Sequence, residues 1–321
     1  MFSIVIPLYN KAHTIVNTLQ SVLQQSFEAF EVIIVDDGST DDGVQIIQNQ
    51  FNDRRIRLVQ QSNQGVSAAR NNGVAAAIHE HIAFLDGDDE LLPTYLETMK
   101  TAVESYPEAG MYCCAGIIRE NDGTEHLRYS NKFKHPFQVI DYFENPYFFS
   151  TSSSTIIKKS SFEKTDGFPV GMKINEDIVF FCSLALVATV VYCSVPLSVY
   201  VRGVEGQATS VHKTIYTYMI DRTNRVFRIW KKTDRSIKCY LTFTKYDLRN
   251  EVLLFLKAKN YEGIHYLITH VDKELMNYFP ALEWRLYKNP PLRLAAICYV
   301  YCTKLIWKLG NYPVTTYKKI K

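Results

Sequence analysis

Two hydrophobic periods alternate along the first part of the chain. Residues 2–8, 31–36, 56–59 and 82–85 are short, almost continuously apolar runs rich in Ile and Val, the length and composition of strands. The segments between them, 11–25, 41–51 and 65–79, have helical spacing; in the first, Ile15, Leu19, Val22 and Leu23 fall on one face. Strands this apolar, separated by helices, predict a parallel sheet covered on both faces. Right-handed crossovers then bring the C-terminal ends of the strands to one edge, where open sheets of this kind bind ligands. The polar clusters Tyr9-Asn10, Asp36-Asp37-Gly38-Ser39 and Asp86-Gly87-Asp88-Asp89 all follow strand ends.

Beyond about residue 110 the pattern changes. Residues 110–119 and 125–129 flank Asn121-Asp122-Gly123, which predicts a hairpin. A strand is expected at 153–158, an apolar helix at 176–187, a strand at 189–193, and helices only from 213 onward. The expected fold class is α/β, a mostly parallel central sheet flanked by helices with a C-terminal helical extension. The expected domains are 1–212, with halves at about 1–110 and 111–212, and an extension at 213–321.

Several polar groups sit where they can do chemistry. Asp86, Asp88 and Asp89 crowd three acids into four residues, which repel one another unless a cation sits among them. On an extended segment Asp86 and Asp88 face the same way, and hard oxygen ligands suit Mn²⁺ or Mg²⁺. The bland alternative is a solvated acidic turn in which Asp89 caps the next helix. Asp36 and Asp37 precede their turn, so capping by Ser39, Thr40 or Asp41 does not account for them; a carboxylate there can accept from a base or a ribose. Gly65-Val66-Ser67-Ala68-Ala69-Arg70 opens a helix small enough to pack closely on the sheet, and Arg70 is either a phosphate contact or a surface charge. Asn175-Glu176-Asp177 precedes an apolar helix, where two acids either favour the helix dipole or supply a general base. His212 follows a loop able to close over a ligand, although a lone His is more often structural.

Together these residues resemble the family-two glycosyltransferases, which have the GT-A fold and invert the anomeric centre. The resemblance lies in Ser3–Asn10, Val32–Asp41, Gly65–Gly73, Ile82–Leu91 and Asn175–Phe180 and spans roughly residues 1–205. It implies that Pro7, Tyr9 and Asp37 hold the nucleotide base, that Asp86 lies near the ribose and Asp88 binds the metal, and that Asp177 is the catalytic base. Relatives often carry glycine where this chain has Asn175. No Gln-x-x-Arg-Trp segment of processive relatives is found, which favours transfer of a single sugar. The implied partners are a nucleotide diphosphate sugar, expected to be a UDP-sugar, and a glycan or lipid-linked saccharide acceptor. This places the chain in polysaccharide biosynthesis at the cell envelope. A sugar-nucleotide-binding protein or a nucleotidyltransferase on the same sheet is the alternative. A pyrophosphorylase would carry a Gly-rich loop after the first strand, and Pro7-Leu8-Tyr9-Asn10-Lys11 has no glycine.

Composition narrows the remaining choices. A net charge of +3 over 321 residues gives no case for nucleic-acid binding. The seven cysteines have no metal-ligand spacing and read as buried, reduced thiols. The N-terminus lacks a signal-peptide pattern and the apolar run at 294–302 is too short to span a bilayer, so a cytoplasmic location is expected. The end of the chain carries Lys304, Lys308, Lys318, Lys319 and Lys321 with no acid, beside Leu294, Ile297, Val300, Tyr301, Leu305 and Trp307. That mixture suits an interfacial helix on an anionic membrane surface, or a helix packed on protein with solvated lysines.

Overall fold

The computed structural model describes residues 1–130, 133, 135–144, 150–204, 215–233, 239–310 and 316–319. These fall into two compact units, one within Met1–Ile140, Phe148–His212 and Thr315–Lys321, the other within Asp141–Tyr147 and Lys213–Val314.

The first unit opens with β1 (Phe2–Leu8), α1 (Ile15–Leu23), β2 (Phe30–Asp36), α2 (Gly43–Gln50), β3 (Ile56–Gln60), α3 (Val66–Ala76) and β4 (His81–Phe84). Strands β3, β2, β1 and β4 lie side by side and parallel. All seven residues of β1 and all seven of β2 are buried, as central strands covered on both faces require. The register pairs Leu8 with Asp36 and Asp36 with Gln60, so the strand ends form one edge. Helix α3 packs flat against β1 because Gly73 has no side chain; a Cβ there would meet Val5 Cγ1 at 2.2 Å. On α1, Ile15, Leu19 and Val22 are buried as the periodicity predicts, and buried Thr18 shares their face. The helix starts four residues later than expected.

The chain continues with β5 (Glu90–Leu91), α4 (Tyr95–Ser105), β6 (Met111–Arg119), β7 (Glu125–Tyr129), β8 (Phe137–Ile140), β9 (Thr155–Lys158), α5 (Lys159–Phe162), α6 (Glu176–Ala185) and β10 (Val190–Val201). The β6–β7 hairpin forms as expected, its turn closed by Gly123 at φ +80°. Pairing in this half is mainly antiparallel: β9 joins β4 to β6, while β10 runs parallel to β6. The sheet is therefore mixed, with an uninterrupted parallel block formed by β3, β2, β1 and β4. Strand β10 extends well past the predicted residue 193, through register shifts around Pro196 that break the periodic pattern.

The second unit contains α7 (Ile215–Lys232), α8 (Cys239–Ala258), α9 (Tyr261–His270), α10 (Lys273–Met276), α11 (Ala281–Lys288) and α12 (Arg293–Gly310). The segment at 141–144 belongs with these helices: Phe143 packs edge-on against Tyr240 and Phe243, with centroids 5.2 and 5.5 Å apart. Helix α12 packs through Ala296 and Val300, both fully buried, against α8 and α11. The helices-only expectation fails at the end of the chain, where β11 (Thr316–Lys319) pairs antiparallel with β7 at the edge of the first unit's sheet. Lys318 and Lys319 are thus strand residues. Cys113, Cys114, Cys182 and Cys193 are buried, but Cys298 and Cys302 are exposed on the outer face of α12, against expectation.

Candidate active site

Each parallel strand delivers polar residues to the edge within a few positions of its end. After β1, Tyr9 is exposed and Asn10 takes the left-handed conformation at φ +52°. Its side-chain oxygen accepts from the Thr40 N–H at 2.8 Å, linking the first two loops. After β2, Asp36 accepts from Ser39 N–H, and Asp37 accepts from Gln61 Nε2, Gln64 N–H and Gly65 N–H at 2.7–2.8 Å. Asp37 is buried, with both oxygens engaged in shaping the loop at 61–65 that leads into α3.

After β4 the acids are not on an extended segment. Asp89 N–H donates to Asp86 O at 3.0 Å, so 86–89 is a turn. Gly87 lets the turn pack closely on β1, since a Cβ would lie 3.3 Å from the Pro7 carbonyl oxygen, tighter than most Cβ contacts. Two hydroxyls of the α1 region hold the turn: Thr14 donates to Gly87 O at 2.7 Å and Thr18 to Asp89 O at 2.9 Å. The repulsion among the three acids is relieved in three different ways. Asp86 Oδ1 pairs with Arg70 at 2.7 Å, and Asp88 Oδ2 pairs with Lys11 at 2.7 Å. Asp89 is buried, accepting from the Ser153 hydroxyl at 2.5 Å and from Val201 N–H at 3.2 Å. Burial, then the charges of Asp86 and Asp88, push its carboxyl well above the usual carboxylate range. It does not cap the next helix.

Arg70 is the hub. It is only 3% exposed, so the surface-charge alternative fails. Its guanidinium spans from Asp86 to Glu176 Oε1, at 2.9 Å, and lies over the Phe168 ring at 5.2 Å from the centroid. Burial works against its charge, but Asp86, Glu176 and Asp177 raise its pKa above the ordinary arginine value. Its neighbour Asn71 donates to Phe168 O and accepts from Phe168 N–H, both at 2.9 Å, docking the loop before α6. Asn175 then turns the chain into α6 at φ +66°, a conformation that asparagine tolerates after glycine. The Asn175 side chain does not cap this helix; the first-turn Ile178 N–H is met by Asp177 instead.

Asp177 retains partial exposure and accepts from Ile178 N–H at 2.7 Å. Burial first, then the charge of Glu176, pushes its carboxyl up to about 7, while Arg70 pulls it back. A carboxyl poised near neutrality can take and release a proton at working pH.

The acids also fit a divalent cation. The second oxygen of Asp86 and that of Asp88 have no hydrogen-bond partner among the described residues. Mg²⁺ and Mn²⁺ commonly bind through one or two carboxylates, the rest of the shell being substrate phosphate and water. Among the described residues, the three-residue group close enough to hold a metal by itself is Asp141, Glu144 and Cys239 in the helical unit. A cation at Asp86 and Asp88 therefore needs oxygens from the substrate.

The sequence pattern of Glycosyl transferase family 2 matches residues 3–166, just over half of the chain. The chain belongs to glycosyl transferase family 2. An uncharacterized glycosyltransferase, YibD, of Escherichia coli (strain K12) is 42% identical over 100 residues, 31% of this chain and 29% of that protein. A GalNAc(5)-diNAcBac-PP-undecaprenol beta-1,3-glucosyltransferase of Campylobacter jejuni is 35% identical over 134 residues, 40% of this chain and 42% of that protein. The chain thus matches less than half the length of these relatives. The crystal structure of S. aureus TarS 1-349 in complex with UDP-GlcNAc superposes with a TM-score of 0.70 at 17% identity, covering 97% of this chain and 92% of that one. A mannosyltransferase from Pyrobaculum calidifontis in complex with GDP-Man and Mn²⁺ gives 0.54 at 18% identity, covering 97% and 87%. These likenesses show that the family-two chain has the mixed α/β fold of GT-A proteins, with a helical C-terminal region.

Of the residues singled out in the sequence, the structure brings Arg70, Asp86, Glu176 and Asp177 together. Asp88 joins through the shared turn, and Pro7 through its carbonyl. His212 lies outside the described residues. Lys11, Thr14, Thr18 and Ser153 were missed. Each is a lone polar residue whose partner is remote in sequence, and only the position of Lys11 just after the first strand offered a clue.

Proposed function

We propose that this family-two chain is an inverting glycosyltransferase. It moves a single sugar from a nucleoside diphosphate sugar, a UDP-sugar in the first instance, onto a hydroxyl of a glycan or lipid-linked saccharide. The observation that carries the proposal is the buried Arg70 bridge, which ties the acidic turn after β4 to the Glu176-Asp177 step of α6. Donor site and base are thereby built as one unit.

In this reading Tyr9, Pro7 and the loop shaped by Asp37 form the base pocket, and Asp86 lies near the ribose. Asp88, with Asp86, holds a divalent cation. When bound, that cation neutralises the charge that develops on the diphosphate. The bond between the anomeric carbon and the phosphate oxygen breaks with its electron pair going to the diphosphate. The acceptor oxygen bonds to the same carbon from the opposite face, and its proton passes to Asp177. Arg70 keeps Asp86 and Glu176 in place and limits the rise of Asp177's pKa. No protein nucleophile is required, because one displacement inverts the centre.

Incubation of the purified protein with radiolabelled nucleotide sugars, Mn²⁺ and saccharide acceptors separates the readings. A transferase releases nucleoside diphosphate and labels the acceptor. Triphosphate exchange would point to a nucleotidyltransferase, and binding without turnover to a sugar-nucleotide-binding protein.

Peripheral attachment to a membrane is part of the proposal, in altered form. Lys304 turns inward to Asn250 at 2.6 Å, and Arg293 donates to Leu256 O at 3.1 Å, so neither is a freely solvated charge. The outer face of α12 instead exposes Leu294, Tyr301, Leu305 and Ile306. Among the described residues no helix is long and apolar enough to cross a membrane, and the attachment proposed is interfacial. Replacing Leu305 and Ile306 together by serine should abolish co-sedimentation with anionic vesicles; unchanged pelleting would remove this part.

A further inference from the structure

The helical unit holds a cavity of about 480 Å³ that the reaction above does not use. One wall is a single face of α8, where Lys245, Tyr246 and Arg249 follow helical spacing. The turn before α11 adds Tyr278 and Phe279, and α12 adds Lys304. Three cations and three aromatic rings thus line one pocket. The size lies within the range typical of small-molecule sites.

The charges in this pocket do not cancel. Glu283 is fully buried, and both of its oxygens are already engaged. Arg249 donates to them at 2.7 and 2.8 Å, Tyr287 at 2.6 Å and Tyr299 at 3.3 Å. Lys304 rests over the Tyr246 ring, 4.9 Å from its centroid, and donates to Asn250. Lys245 makes no hydrogen bond or ion pair among the described residues. Its ammonium lies 5.9 Å from the centre of the Phe279 ring, which Arg249 also covers at 5.7 Å. Burial, then the nearby charge of Arg249, pulls the Lys245 pKa below the ordinary lysine value, and the charge of Glu283 offsets part of that. Glu283 is the anion that acts on both Lys245 and Arg249, and Arg249 takes both of its oxygens, so this pair of cations keeps an excess of positive charge that an anionic ligand would offset. The aromatic walls meanwhile offer flat apolar faces, which suit the C–H faces of a sugar ring rather than a bare ion.

We propose that this pocket is a second binding site, for a phosphate-bearing saccharide, whose phosphate sits between Lys245 and Arg249 and whose ring packs on the aromatic walls. The proposal concerns binding only and does not depend on the transfer reading. A failure of catalysis leaves it intact, and its own failure leaves the donor site intact.

The test is isothermal titration of the full chain with glucose 6-phosphate, inorganic phosphate and glucose, in the presence of saturating UDP and Mn²⁺ to occupy the donor edge. Glucose 6-phosphate should bind more tightly than either other probe. Lys245→Gln should weaken it about tenfold, the order expected for one charge-assisted contact, and Lys245→Arg should restore it. Circular dichroism melting of both variants checks that the helical unit remains folded. Absence of glucose 6-phosphate binding, or binding that Lys245→Gln leaves unchanged, overturns the site. Equal affinity for inorganic phosphate overturns the saccharide assignment.

Discussion

Replacing Arg70 by methionine removes the cation that Asp86 and Glu176 share while keeping most of the side-chain volume. Both contacts are short, 2.7 and 2.9 Å, and the arginine is almost wholly buried. Water has little access to Glu176, and more to Asp86. Breaking a buried pair by removing one partner typically costs about 3–5 kcal/mol, mostly because a charge is left unpaired. Glu176 loses its partner in a buried setting and Asp177 loses a stabilising charge, whereas Asp86 is about a third exposed and water can take over its contact, so the lower half of that range is expected. Urea unfolding of the wild type and of Arg70→Met measures it. A second readout follows from the direction of the Asp177 shift. Arg70 holds that carboxyl down, so without it the pKa climbs above about 7 and the acid limb of the rate profile moves to higher pH. Arg70→Lys should recover little, because one ammonium lacks the fork that reaches both acids. A stability loss below about 1 kcal/mol, or an acid limb that stays in place, would refute the claim that Arg70 organises the site.

Asp177→Asn should leave donor affinity unchanged and lower kcat by about 10²–10⁴-fold, measured at saturating donor and acceptor; full activity would show the acid to be only part of a helix start. In the wild type a base must be deprotonated, and burial raises this carboxyl to about 7, so activity should rise with pH through neutrality and flatten above it. Asn175→Gly should be tolerated or slightly stabilising, whereas Asn175→Val should cost about 1–3 kcal/mol by chemical denaturation, because a β-branched residue is strained at φ +66°. Identical stabilities for these two variants would contradict the backbone account.

The parallel block was legible because β1, β2 and β4 are buried on both faces and therefore read as unbroken apolar runs. The acids at the strand ends were legible for the same reason: each stands just beyond such a run. The second half of β10 was not legible, since Pro196 interrupts the alternation and the strand continues through shifted register. Strand β11 lies in a lysine-rich stretch after helices and takes its structure from pairing with β7. At the site, alternation along an extended segment suggested that Asp86 and Asp88 point the same way, but the Asp89 N–H closes a turn. The counter-ions were equally hidden. Lys11 meets Asp88 across 77 positions and Ser153 meets Asp89 across 64, distances at which no periodicity carries information. Arg70 to Glu176 is longer still, at 106.

The central claim is that the edge after β4 binds a nucleoside diphosphate together with a divalent cation. Calorimetric titration of UDP into the protein, with and without Mn²⁺, tests it most directly when repeated on Asp88→Ala. Binding in the wild type should depend on Mn²⁺, and Asp88→Ala should lose that dependence. Metal-dependent affinity that persists unchanged in Asp88→Ala would contradict it.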